Sequence, residues 1–153
     1  MSAIITPTHI VCANVGDSRC VVGSTTTGIT TALTDDHKPS NPEEKIRIEK
    51  AGGFVAMDRV NGELAMSRAL GDFRYKRDET IPRHEQKVIC YPDIAIHQRS
   101  GKKDEVMILA CDGVFDVMSN AEVCILFCYN TNIYILQLLI FYSLDNIGGR
   151  LCC

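Results

Sequence analysis

No cluster of lysine and arginine occurs in this chain of 153 residues, and its formal net charge is −3, so the sequence offers no basis for a nucleic-acid partner. The eight cysteines contain no CxxC pair and no Cys/His spacing of the zinc kind, which excludes a zinc ribbon or finger. Residues Met1 to Pro7 lack a positive stretch followed by an apolar core and do not read as a secretory signal. Cys12, Cys20, Cys90, Cys111, Cys124, Cys128, Cys152 and Cys153 are therefore read as reduced, buried, small apolar residues of a cytoplasmic or nuclear protein rather than as a disulfide scaffold. No glycine-rich phosphate loop, nucleophile elbow or Cys/His pair is present. His9, His37, His84 and His97 are isolated and share no ligand spacing, and His37 reads as part of the charged turn Asp35 to Pro39.

What is present has the composition of one globular domain, with 46% hydrophobic and 23% charged residues. His9–Asn14 and Cys20–Val22 are apolar, β-prone runs around the turn Gly16-Asp17-Ser18, and predict a hairpin. Asn41-Pro42-Glu43-Glu44 carries the marks of a helix start, and Gly52-Gly53 the marks of its stop, which predicts one short, charged, largely exposed helix. A second hairpin is expected from Phe54–Val60 and Glu63–Ala69 about Asn61-Gly62. Gly71 to Lys87 reads as an ordered polar loop, and Ile94-Ala95-Ile96 as a short strand. Glu105 to Cys111 has no internal charge, as expected of a strand covered on both faces. The order of elements favours an α+β sandwich with flanking helices over a doubly wound sheet. From Val123 to Leu144 no residue is charged; a buried helix, a poorly folded tail and a membrane span all fit that composition, although Asn130, Thr131, Asn132 and Gln137 count against the span.

The chemically suggestive segment is Leu109-Ala110-Cys111-Asp112-Gly113-Val114-Phe115-Asp116. An uncharged strand ends in a carboxylate, and a second carboxylate follows four residues on; a helical turn there would put both on one side. Two readings stand at this point. Asp112 caps a helix while Asp116 is solvated, or both hold a hard divalent cation, for which all-oxygen ligands suit Mg²⁺ or Mn²⁺. Asp17 and Asp72 sit in glycine turns, where an aspartate commonly bonds its own backbone.

In order, the segments Ala13 to Arg19, Asp36-His37-Lys38-Pro39, Asn41-Pro42-Glu43 with Arg47-Ile48, Ala51-Gly52-Gly53, Arg59 to Gly62 with Leu64-Ala65, Ser67 to Phe73 with Tyr75-Lys76, and Ile108 to Gly113 with Asp116-Val117-Met118 form a series. This series resembles the PP2C, or PPM, family of metal-dependent protein phosphatases over residues 9–123, leaving 124–153 as an atypical hydrophobic tail of a partial domain. The resemblance implies a β-sandwich with helices on its outer faces, in α/β/β/α layers. It implies hydrolysis of phosphoserine and phosphothreonine on proteins by water activated at a Mg²⁺ or Mn²⁺ cluster. By motif, Asp112 corresponds to a core metal ligand, and Asp17 and Asp116 to ligands of a looser metal position. Asp145, in Ser143-Leu144-Asp145-Asn146, resembles the family's late ligand but lies nearer Asp112 than the family pattern implies.

The family's early phosphate-binding Arg, Glu-Asp pair and Asp-Gly-His-Gly-Gly motif have no counterpart here. The expectation is an incomplete fold, a weak catalyst by itself, acting on phosphoproteins as a monomer without nucleic acid or membrane. The alternative is a non-catalytic, pseudophosphatase-like binding module.

Overall fold

A computed structural model describes residues 1–24, 27–99, 105–129 and 140–143. The chain divides into two compact bodies, one formed by Met1–Ala13, Ser18–Asp35 and Ile94–Cys153, the other by Asn14–Asp17 and Asp36–Asp93.

The first body holds two sheets. Strands β1 (Ser2–Ile5), β2 (His9–Asn14) and β7 (Asp93–Gln98) form one in the order β1-β2-β7. Strands β3 (Arg19–Ser24), β4 (Thr30–Ala32), β8 (Glu105–Ala110) and β9 (Ile140–Ser143) form the other in the order β4-β3-β8-β9. Ile10 and Cys12 of β2 pack against Cys20 and Val22 of β3 and Met107 of β8, so the two inner faces share one core. The opposite face of the second sheet, with Val21, Ile108 and Ala110, is covered by α2 (Asp112–Phe115) and α3 (Asn120–Tyr129) through Val123 and Cys124. Each fully buried aliphatic chain of this kind contributes about 1.5–3 kcal/mol relative to its exposure. The result is the expected α+β sandwich with helices outside one sheet.

Strand β8 fulfils the expectation for an uncharged run: Met107 faces one core and Ile108 the other, and both are inaccessible to solvent. Its neighbours are β3, in register Arg19↔Ala110 to Ser24↔Glu105, and β9. In the uncharged segment beyond Val123, helix α3 runs to Tyr129 and Ile140–Ser143 is extended, while residues 130–139 and 144–153 lie outside the described residues. The β-prone quartet Ile-Phe-Tyr-Ser pairs antiparallel with β8. Among the described residues no helix is long and apolar enough to cross a membrane.

Strands β2 and β3 exist but do not form a hairpin. They lie in different sheets, and Cys12 Sγ and Cys20 Sγ meet across the core at 3.3 Å. The hydrogen bond with Cys12, and then burial, push the Cys20 thiol up. Cys12, Cys20 and Cys124 are buried as expected, whereas Cys90 and Cys111 are exposed. Helix α3 approaches β3 closely at Gly23, where a Cβ would stand 2.8 Å from Cys124 Sγ and 3.1 Å from its Cβ. Gly23→Ala should therefore cost about 1–3 kcal/mol by overpacking. Urea unfolding checks this, with partial recovery expected on adding Cys124→Ala.

The second body is built on α1 (Pro42–Lys50). Proline stands at its first position, and the end is a Schellman motif: Gly53 N–H donates to Ile48 O at 2.9 Å and Gly52 N–H to Glu49 O at 3.0 Å. The helix is less exposed than its charge suggests, because Ile48 and Glu44 are both buried. Ile48 packs with Val60, Ala69, Tyr75 and Val88. The expected second hairpin is displaced. Its ladder joins β5 (Val55–Ala56) to β6 (Arg59–Val60) around Met57-Asp58, both at positive φ, while Asn61-Gly62 turns the chain only into an isolated bridge, Val60↔Leu64. Asn61 explains the shift, since its N–H and Oδ1 both bond Phe54, and Ser67 and Ala69 find partners at His37 and Ile89 instead. Gly71 to Lys87 is an ordered loop with 3₁₀ turns at Phe73–Tyr75 and Arg83–Glu85, and Asp72 adopts a left-handed φ of 50°.

Candidate metal centre

Strand β8 delivers Asp112 at its end, as the uncharged run requires. Cys111 occupies the cap position without a side-chain cap bond, and Asp112 Oδ1 accepts the Gly113 N–H at 2.9 Å. Asp112 is thus in the first turn rather than capping it. The Asp116 N–H donates to Asp112 O at 2.8 Å, so the two aspartates are one helical turn apart and on one side of it. The turn is anchored by Arg19 at the start of β3. Its guanidinium lies 4.7 Å from the Phe115 ring centroid and donates to Asn120 Oδ1 at 2.8 Å. Of the sequence candidates, then, the structure brings Asp112 and Asp116 together within the first body.

Asp17 belongs to the second body, in a turn whose shape is imposed by the Asp36-His37-Lys38 segment. Gly16 has φ +110°, and both its backbone groups are taken: its N–H donates to His37 Nδ1 at 3.1 Å and its oxygen accepts the His37 N–H at 3.1 Å. These bonds leave the turn no ladder to complete, which is why β2 and β3 part company here. Asp17 Oδ2 is 3.0 Å from Lys38 Nζ, with its side chain only 12% exposed. Since Nδ1 of His37 accepts, Nε2 carries the proton and donates to Asp93 Oδ2 at 3.0 Å. The sequence placed His37 in a charged turn; the structure buries it.

A buried ion network escaped the sequence reading. Glu44 bonds the Arg47 guanidinium at 2.7 Å, the Arg68 guanidinium at 2.8 Å and the Ser67 hydroxyl. Arg68 also donates to Asp93 Oδ1 at 2.6 Å. Burial opposes ionisation of Glu44, but the bonds from Arg47, Arg68 and Ser67 outweigh it and hold the carboxyl at about 2. Burial likewise opposes a charged Asp93, and His37 and Arg68 overcome it and lower its pKa. The only sequence signal was charge at matching faces, Glu44 and Arg47 at i,i+3; nothing local pointed to Arg68.

Among the described residues no group of three or more His, Cys, Asp and Glu side chains is gathered to hold a metal ion. Asp145 lies outside the described residues. The donors that are present still suit a hard ion. Asp112 and Asp116 offer carboxylate oxygens alone, and Asp17 already accommodates a cation in the form of the Lys38 ammonium. Carboxylate oxygens are donors of the kind a hard divalent cation takes.

A family model described as Protein phosphatase 2C matches residues 1–139, beyond the 9–123 covered by the motifs. "Protein phosphatase 2C homolog 2" of Schizosaccharomyces pombe is 51% identical over 114 residues, covering 74% of this chain and 30% of the relative. "Protein phosphatase ppm-1.A" of Caenorhabditis elegans is 48% identical over 120 residues, covering 78% and 25%. "Protein phosphatase 1B" of Rattus norvegicus is 48% identical over 124 residues, covering 81% and 31%. The chain thus spans between a quarter and a third of the length of these relatives. Among solved structures, a phosphatase from a pathogenic strain of Toxoplasma gondii superposes with a TM-score of 0.72 at 41% identity, over 80% of this chain and 38% of that one. A sex-determining protein of C. elegans gives 0.62 at 33%, over 77% and 27%. With its sandwich, its ordered motifs and this match over nearly all of its length, the chain belongs to the protein phosphatase 2C family.

Proposed function

We propose that this chain carries the later part of a protein serine/threonine phosphatase site, hydrolysing phosphoserine and phosphothreonine on proteins with Mg²⁺ or Mn²⁺. The observation that carries the proposal is the Asp112–Asp116 turn at the end of β8, held by Arg19, in a chain about half identical to named protein phosphatases. Asp112 and Asp116 are assigned to metal ligation by the turn they share, and Asp17 and Asp145 by motif only. Such an ion supplies charge neutralisation at a phosphoryl group in transfer and activation of water. The residues of this chain present carboxylate oxygens at a rigid strand end, and Arg19 fixes the turn that carries two of them. The partners are phosphoprotein substrates, and the chain acts as a monomer in the cytoplasm or nucleus.

The test is Mn²⁺-dependent phosphate release from a phosphothreonine peptide, by this chain alone and by this chain joined to the N-terminal part of the S. pombe relative's domain. The joined protein is expected to be active and the chain alone weak. No release by the joined protein would overturn the assignment. A second reading, a non-catalytic binding module, is favoured by the lack of a three-donor group among the described residues. It predicts no Mn²⁺ uptake by the chain alone.

A further inference from the structure

We infer that Cys12 and Cys20 are a site of reversible disulfide formation, closed by a peroxide and reopened by thiols, that ties the two sheets of the first body together; this stands apart from the metal reading. Both residues belong to that body, Cys12 on β2 and Cys20 on β3, in different sheets. Their sulfurs lie 3.3 Å apart, and both residues are sealed from water among Ile10, Val22 and Met107. The approach is built into the strands. Cys12 is in register with Ala3 of β1, and Cys20 with Leu109 of β8. The Cys20 N–H donates to Thr34 Oγ1 at 2.8 Å, and its oxygen accepts the Leu33 N–H at 2.8 Å. Of the five cysteines described, Cys124 packs in the other core and Cys90 and Cys111 are exposed, so Cys12 and Cys20 share a core only with each other. A disulfide needs the sulfurs about 1.3 Å closer, which small side-chain torsions supply.

The chemistry balances in two steps. One sulfur, as thiolate, attacks the peroxide and breaks its O–O bond; the departing hydroxide takes the thiol's proton, leaving a sulfenic acid and water. The other sulfur then attacks the sulfenic sulfur, the S–S bond forms, and a second water leaves with the remaining proton. Two electrons pass from the thiol pair to the peroxide, and an added dithiol returns them. The bond with Cys20 lowers the Cys12 thiol despite its burial, which favours Cys12 as the first attacker. Because the pair is buried, the oxidant reaches it through local opening of the sandwich, and the reaction is slow. The product is an inter-sheet cross-link of the kind that braces antibody domains.

The experiment exposes the intact folded chain to hydrogen peroxide, blocks the remaining thiols with N-ethylmaleimide and digests it with trypsin without reduction. Trypsin cuts between Arg19 and Cys20, so the linkage is read by mass as two joined peptides, two hydrogens lighter than their sum. The joined pair is expected, at least ten times more abundant than after the same treatment in strong urea, and lost on adding dithiothreitol. In a Cys90→Ser, Cys111→Ser background, oxidation should shift the folding equilibrium towards the folded state on the order of a hundredfold, as closing so short a loop implies. Adding Cys12→Ser or Cys20→Ser should abolish that shift. Oxidation of Cys90 and Cys111 without the joined pair overturns the inference, as does a pair no more abundant in the folded chain than in urea. A joined pair that brings no stabilisation also overturns it, since a strained cross-link braces nothing.

Discussion

Arg68→Met should destabilise the chain by about 3 kcal/mol, the lower end of what removing one partner from a buried ion pair costs. Glu44 is buried, and Arg68 reaches it with Nε at 3.1 Å and Nη2 at 2.8 Å. Without that guanidinium, Glu44 keeps Arg47 and Ser67, which is why the lower figure applies. Asp93 loses its 2.6 Å bond at the same time but is well exposed, so water replaces much of that contact. The measurement is the urea midpoint at pH 7. A loss under about 1 kcal/mol would show that Arg47 alone suffices for Glu44. Adding Glu44→Gln to Arg68→Met should recover part of the loss, since it removes the stranded charge. The pH dependence has a definite sign. The folded Glu44 carboxyl, at about 2, is depressed from its ordinary 4.5, so its stabilisation is fully present above 4.5 and disappears as pH falls towards 2. The amount involved is about 3 kcal/mol, and Asp93, also lowered, acts in the same direction. Arg68→Met should flatten this acid limb.

Asp112→Ala should lower Mn²⁺-dependent phosphate release by the joined protein on the order of a hundredfold or more, because several kcal/mol of charge stabilisation depend on the metal being held. The loss should come without unfolding. Asp112 is partly exposed, and the one side-chain bond described for it goes to the neighbouring Gly113 N–H, so truncation removes little from the fold. Asp112→Asn, which keeps that acceptor and the volume, should fail nearly as badly, because a neutral amide is a poor ligand for a hard cation. A variant retaining more than a tenth of native release would remove Asp112 from the site.

What the sequence discloses, and what it withholds, follows the range of the interaction. Helix α1 was readable because its proline and its glycine stop obey local rules, although Asn41 spends its side chain on the Asp36 oxygen and makes no cap bond. Strand β8 was readable from its uncharged run, and the side-by-side placing of Asp112 and Asp116 from a spacing of four. The failures are all cases where a distant partner wins over a local pattern. A turn sequence at Gly16-Asp17-Ser18 looks like a hairpin until His37 takes the backbone groups of Gly16. Asn61-Gly62 is a strong turn signal, and it does turn, but Asn61 commits its strand to Phe54 on the upstream side. Glu44 looks like one more exposed charge on a helix until Arg68 closes over it. The assignment to a family came from seven short motifs in order, each weak by itself, and the pairing of Asp17 with Lys38 from none of them.

The neighbour relation between β3 and β8 has a consequence for how the polypeptide comes into being. Arg19–Ser24 can complete its sheet only with Glu105–Ala110, a segment made much later. At a synthesis rate of about 5–20 residues per second, several seconds pass before that second strand leaves the ribosome. During this interval Val21 and Val22 have nothing of β8 to lie against, and the open flank of β3 is a template for any extended chain nearby. Closing so long a loop is slow in itself, so β3 stays unpaired on that flank until β8 is available.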